Sequence, residues 1–168
     1  AKILEKIVFR HLGTNRKELV VGPSLGVDCA VIDVANASII VSTDPITGAL
    51  ERIGWLAVNV NANDVATFGV HPQFLSSCIL LPENAEEKTV EIICKQMDEA
   101  AKKLGIAIIG GHCEVTPGLT HPIVVGCTFG ITRKGCYVTP KGAEPGNKLI
   151  ITKTVGIEGT AILANDRE

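Results

Sequence analysis

The sequence predicts an α+β domain, a mixed or antiparallel sheet of about four to six strands with helices stacked on one face. Three observations predict it. Short β-branched and apolar runs are bounded by Gly, Pro, Asp and Asn, as strands are. One long segment carries apolar residues at helical spacing. The order, roughly ββαβαββ after an opening helix, interleaves the two types. The composition agrees: 168 residues with 46% hydrophobic and 20% charged suit one compact domain, or one domain and the start of another. Aromatics are only 4%, so Ile, Val, Leu and Ala must fill a closely layered interior.

Taken in order, residues 2–12 place Ile3, Leu4, Ile7, Val8 and Leu12 at helical spacing, which predicts an amphipathic opening helix broken by GTNRKE. LVVGPSLGVDCAVIDV sets Gly22, Pro23 and Gly26 between two apolar runs and reads as a strand, a loop and a second strand beginning near Cys29. ASIIVSTDPITG is a further strand with Asp44 where the apolar run ends. Residues 52–69 read as helix, HPQFLSSCILLP as a strand closed by Pro82, and residues 85–104 as the most strongly patterned helix. In the last, Val90, Ile93, Met97, Ala101 and Leu104 form the inner stripe, Asn84 stands at the N-cap position with Glu87 three residues on, and Gly105 follows as a stop. IAIIGGHCEVTPG and HPIVVGCTFGITRKG are two strands joined through a Pro-Gly turn. The Pro- and Gly-rich VTPKGAEPGNK then reads as a linker, followed by a strand over LIITKTVG and a helix over IEGTAILAND. The predicted division is residues 1–140 as one domain and 141–168 as a linker and the start of a second. With Met97 the only methionine, a trimmed chain is expected.

The net charge of −2 gives no electrostatic basis for a nucleic-acid or anionic-membrane partner. No apolar run reaches the roughly 20 residues of a membrane span, and no signal-peptide pattern opens the chain, so a cytoplasmic location is expected. None of the six cysteines forms a C-x-x-C pair, and Cys29, Cys78, Cys94 and Cys127 sit among apolar or small residues as small buried hydrophobes would. Their spacings with the four histidines do not suit a structural zinc site.

VNVNANDVATFG, residues 58–69, is an asparagine-rich helical stretch without Lys or Arg. Asn59, Asn63 and Thr67 share one stripe with Asp64 beside it, while Trp55, Leu56, Val58, Ala62, Val65 and Ala66 fill much of the remaining circumference and predict burial. Buried amides and carboxylates must hydrogen-bond or bind a ligand, and the helix alone leaves both readings open. Asp28 in a glycine-rich loop, Asp44 at a strand end, Asp64 in this helix and Glu114 after GGHC are the oxygen donors that Mg²⁺ and polyphosphate require. Gly110 and Gly111 would admit a phosphate close to backbone N–H groups, as would the loop from Gly22 to Gly26, although neither is a Walker A loop. His112 and Glu114 share a strand face opposite Cys113, which disfavours a His-activated cysteine, and the Pro-Cys-x-x-Cys of zinc deaminases is missing. His71 and His121 each precede proline and read as turn residues.

GVDCAVI, STDPI, IGWLAVNVNANDVATFGVHPQFLSSCILLP, AAKKLGIAIIGGHCEVTPG and PKGAEPGNKLIITKTVGIEGTAILA occur in this order. Together they resemble the aminoimidazole ribonucleotide synthetase superfamily, which includes thiamine-monophosphate kinase, selenophosphate synthetase and a nitrile-forming hydrogenase maturation protein. GGHCEVTPG and GTAILA resemble the hydrogenase-maturation branch most. The resemblance implies ATP-dependent, Mg²⁺-dependent chemistry in which a phosphoryl group activates an amide- or thioamide-like oxygen or is passed to the substrate itself. It also implies a homodimer whose sheets pair as a β-barrel, and a carboxy-terminal domain that completes the nucleotide site and receives a small-molecule or protein-tail substrate. Carried over by position, it makes Asp28, Asp44 and Asp64 the metal ligands and Asp28, Thr43, Asn63, Gly110, Gly111 and His112 the nucleotide contacts. Two positions depart from the pattern: Val27 replaces the first acid of the Gly-Asp-Asp-Ala loop, and His112 stands where several branches carry Asp. The resemblance therefore implies an enzyme of synthetase, dehydratase or kinase type when complete, and inactivity for this stretch alone. The alternative is a non-catalytic dimerisation module that has lost part of the metal site.

Overall fold

A computed structural model describes residues 1–48 and 50–165. Helix α1 (Lys2–Lys6) and a 3-10 turn (Val8–Arg10) open the chain, followed by strands β1 (Leu19–Val21), β2 (Ala30–Val34) and β3 (Ala37–Ile46). After a 3-10 turn at Leu50–Arg52 come α2 (Ile53–Thr67), β4 (Phe74–Leu81), α3 (Glu87–Leu104), β5 (Ala107–Val115), β6 (Ile123–Arg133) and α4 (Ile157–Asn165). The strands form one mixed sheet in the order β1-β2-β3-β6-β4-β5. Only β4 and β5 pair in parallel, and α3 is the crossover such a pair needs. The fold is the predicted α+β arrangement.

Alternation along the strands decides which face is covered. Ser38, Ile40, Ser42 and Ile46 of β3 are buried, as are Leu75, Ile79 and Leu81 of β4 and Val124, Gly126, Thr128 and Gly130 of β6. These residues face α2, which lies across β3 and β6, with α3 beside it. Ile53, Ala57, Val58 and Ala62 of α2 join Ile93, Met97, Ala100 and Ala101 of α3 and the β4 side chains in one core. The two helices meet closely at Gly54, where a Cβ would overlap the Ile93 carbonyl oxygen. The opposite face carries Ile39, Val41, Phe74, Leu80, Cys127 and Phe129, apolar but only half-buried. Every residue of β5 at the sheet edge is exposed.

Several expectations are corrected. The opening helix spans only Lys2–Lys6 before tightening into the 3-10 turn, and buries none of its residues. α3 begins at Glu87 with Glu86 at its N-cap, and Asn84 makes no capping bond. Gly105, at φ 68°, does end it in the left-handed conformation. β5 and β6 are the two strands expected on either side of the Pro-Gly turn, but they do not pair with each other: β4 lies between them and pairs with both. No strand forms over 149–155: Leu149, Ile150 and Val155 are 91%, 84% and 84% exposed, with no neighbouring strand to take up their backbone groups. The last helix is present, although Asp166 of the predicted span lies outside the described residues. Of the four cysteines expected inside, Cys29 is buried, Cys78 and Cys127 are half-buried and Cys94 is exposed.

Candidate functional site

Two of the three expected acids, Asp44 and Asp64, come together where β3 passes beneath α2, and Asp28 contributes its backbone carbonyl while its residue is exposed. Ser42, at an inward position of β3, donates its hydroxyl to Asp64 Oδ2 of α2 at 2.7 Å and lies 3.2 Å from the Asp28 backbone carbonyl. Asp44, two residues along the same face, stands close enough to the Asp64 carboxyl to perturb it. Burial raises the Asp64 pKa, Ser42 opposes that, and the neighbouring Asp44 charge adds to it. The ion pairs among the described residues all lie elsewhere, so no Lys or Arg neutralises this concentration of negative charge.

Asn61 answers why α2 is rich in asparagine. It is completely buried and bonds both sides of the Asp44 backbone: Asp44 N–H donates to Oδ1 at 2.9 Å, and Nδ2 donates to the Asp44 carbonyl at 3.2 Å. Nδ2 also reaches the Ala57 carbonyl at 2.9 Å. Gly126 of β6 makes room for this amide, since a Cβ there would come within 2.6 Å of Asn61 Cγ. The predicted polar stripe is different from this buried amide. Asn63 and Thr67 are exposed, Asn59 bonds the Trp55 carbonyl of its own helix, and Thr67 bonds the Asp64 carbonyl. Trp55 and Ala66 are exposed as well, so α2 is buried on one side only.

The remaining expected contacts are spread across the sheet. Thr43 is exposed on the face opposite Ser42. Gly110, Gly111 and His112 lie on β5, and Gly111 shares a transverse row with Ser77, Gly126 and Asp44. Three strand spacings put it about 14 Å from Asp44. Gly110 and Gly111 have φ of 116° and 153°, and a Cβ on Gly111 would overlap the Ser77 backbone. The pair thus holds β5 against β4 where their register shifts. His112 Nε2 lies 3.1 Å from Glu114 Oε2, and chiefly this contact, with Thr116, holds the Glu114 carboxyl below its usual range. His121, in its turn, reaches the Thr47 carbonyl.

Two carboxylates, a hydroxyl and a backbone carbonyl are hard oxygen donors, suited to Mg²⁺ rather than to a soft metal. Cys29 stands among them, but burial, with Asp64, Asp28 and Asp44 adding, pushes its thiol up to about 12, so it remains protonated. Among the described residues no three His, Cys, Asp or Glu side chains are gathered tightly enough to enclose an ion unaided. The donor set therefore suits a cation that keeps water or phosphate oxygens as further ligands, as Mg²⁺ does. Ser42, Asn61 and Cys29 escaped the sequence reading. The signal for Asn61 was an inward glycine on β6, which marks close approach of a neighbour.

The fold is that of a known group of proteins. Residues 26–132 match the family described as AIR synthase related protein, N-terminal domain, and the chain belongs to that family. It is 28% identical over 171 residues to a protein assigned to hydrogenase expression and formation in Methanocaldococcus jannaschii, covering 96% of this chain and 51% of that one. It is 29% identical over 137 residues to the carbamoyl dehydratase HypE of Cupriavidus necator, covering 77% and 39%. Among solved structures, the hydrogenase maturation protein HypE in complex with ATP shares the fold, with a TM-score of 0.54 and 23% identity over 77% of this chain and 38% of that one. The chain thus spans about half the length or less of the curated relatives it matches. No helix among the described residues is long and apolar enough to cross a membrane.

Proposed function

We propose that this chain is the Mg·ATP-binding, homodimer-forming amino-terminal domain of an ATP-dependent enzyme that activates an amide- or thioamide-like oxygen by phosphorylation, in the maturation of a hydrogenase. The observation that carries the reading is the Ser42 bridge between Asp64 and the Asp28 backbone, with Asp44 alongside and no basic side chain among the described residues paired to them. Asp44 and Asp64 hold the cation, with Asp28 at the rim, and Asn61 fixes the strand that carries Asp44. When bound, Mg²⁺ supplies charge neutralisation for the phosphates of the nucleotide. The Cupriavidus relative, a carbamoyl dehydratase, supports the reading by kinship, and the ATP complex of HypE supports it by likeness of fold.

In the same proposal, residues 1–140 form the unit that dimerises, and 141–168 lead into a domain that completes the nucleotide site and receives the substrate. A second copy covers the half-buried apolar sheet face, and the exposed edge β5 lies where a barrel would close.

Calorimetric titration of Mg·ATP into the parent, Asp44→Asn and Asp64→Asn tests the metal assignment. The expected result is at least tenfold weaker binding by both variants, corresponding to the roughly 1.4 kcal/mol of a lost charge-assisted contact. Asp64→Asn should also stabilise the nucleotide-free chain near neutral pH. A carboxyl whose folded pKa is raised contributes stability only at low pH and loses it as pH rises through that pKa. Equal binding by all three proteins would reject the assignment and leave a dimerisation module.

A further inference from the structure

Thr128 of β6 is fully buried, and its hydroxyl is the one buried side-chain polar atom without a hydrogen-bond partner among the described residues. Such a group carries a cost that valine, nearly the same shape, would avoid. Packing alone therefore gives no reason for a threonine here. Its position does: Thr128 is the direct cross-strand partner of Ser42, and both are buried on the face beneath α2. Residues so paired hold their Cβ atoms about 4.5–5.5 Å apart, a spacing across which Thr and Ser hydroxyls hydrogen-bond in other sheets when their χ1 rotamers turn them toward each other. Ser42 has a single proton and two acceptors for it, Asp64 Oδ2 and the Asp28 carbonyl, while its own oxygen can accept a bond.

We infer that Thr128 is a positioning residue for Asp64: its hydroxyl donates to Ser42 Oγ, commits the Ser42 proton to Asp64 Oδ2, and thereby keeps the other carboxylate oxygen free for a ligand. A chain of donors of this kind strengthens each bond in it. The inference rests on the Mg·ATP reading for its consequence, since the ligand that profits from an oriented Asp64 is the cation proposed there. It concerns a residue that touches neither cation nor nucleotide and acts only through Ser42.

The test uses Thr128→Val, Thr128→Ser, Ser42→Ala and the Thr128→Val/Ser42→Ala pair. Two readouts apply: calorimetric Mg·ATP affinity, and the carbon-13 resonance of the Asp64 side-chain carboxyl measured with and without Mg·ATP. Thr128→Val should keep or raise the urea midpoint, weaken Mg·ATP binding by about fivefold, the equivalent of one neutral hydrogen bond, and move the Asp64 resonance. Thr128→Ser should restore both, and with Ser42 already replaced by Ala the valine should change neither. Parent-like affinity and an unmoved resonance in Thr128→Val would overturn the inference, as would an undiminished effect in the Ser42→Ala background. If the parent itself fails to bind Mg·ATP, the functional reading falls. The nucleotide-free resonance then decides this inference alone: moved by valine and restored by serine supports it, unmoved overturns it.

Discussion

Replacing Gly126 by alanine tests whether Asn61 is the rigid support for the acid site. The new Cβ would overlap Asn61 Nδ2 and come within 2.6 Å of Cγ and 3.0 Å of Oδ1, so the whole amide must move. It has nowhere to go, because Asn61 is completely buried and held by bonds to the Asp44 N–H, the Asp44 carbonyl and the Ala57 carbonyl. Overpacking of this kind costs about 1–3 kcal/mol. Leaving the Asp44 N–H without its acceptor beneath α2 adds about 1–3 kcal/mol. With some overlap between the two, the expected loss is about 2–5 kcal/mol. At a urea m-value of about 2 kcal/mol/M the midpoint falls by about 1–2.5 M. The partner experiment is Asn61→Ala with and without Gly126→Ala. Once the amide is gone the methyl has space, so the double variant should unfold close to Asn61→Ala alone, with non-additivity close to the whole Gly126→Ala loss, about 2–5 kcal/mol. A Gly126→Ala midpoint within about 0.25 M of the parent, well inside what the m-value makes measurable, would refute the claim that Asn61 is fixed. Strict additivity in the cycle would refute the claim that the glycine exists for Asn61.

Two further outcomes follow from other parts of the sheet. Asp33 accepts a bond from the Ser38 hydroxyl at 2.7 Å and lies 3.3 Å from Lys134 Nζ, and chiefly Ser38 holds its carboxyl below the ordinary value of 3.8. A depressed folded pKa contributes stability that is complete above the unfolded value and disappears as pH falls through the folded one. Urea midpoints of the parent and Ser38→Ala should therefore differ most above pH 4 and converge partly at lower pH. The bond from Gly135 N–H to Ser38 persists as a pH-independent remainder, and a gap that widens on acidification would contradict the assignment. On the uncovered face, Phe129 sits between Val41 and Phe74 in one cross-strand row. Phe129→Glu should convert the proposed dimer to monomer in sedimentation velocity with the circular dichroism unchanged, and a variant that still sediments as a dimer would place the interface elsewhere.

What the sequence disclosed and what it hid divide along a physical line. Signals that depend on local covalent preference were legible: the apolar stripe of α3, Gly105 with its left-handed φ, and strands bounded by Gly and Pro. Signals that depend on which strand lies beside which were not. The pairing of β4 with both β5 and β6 is a long-range choice, and a Pro-Gly turn between consecutive strands looks like a hairpin until a third strand enters. The run at 149–155 shows the same limit, since a strand-like composition forms no strand where no partner edge is offered. In α2 the sequence could say that amides inside a helix need partners, but not which asparagine turns inward. Helical spacing grouped Asn59 and Asn63 on one stripe, whereas the decision lay in β6, where inward Gly126 opens space for Asn61 and Gly130 does the same for Val65 and Val70. The acid site follows the same rule. Ser42 carries no motif of its own, yet strand period two places it between the Asp28 carbonyl and Asp64, and across β6 that same period sets Thr128 opposite it. A polar site built on a sheet is thus read most reliably from the residues of the inward register, small ones included, and only afterwards from the carboxylates they support.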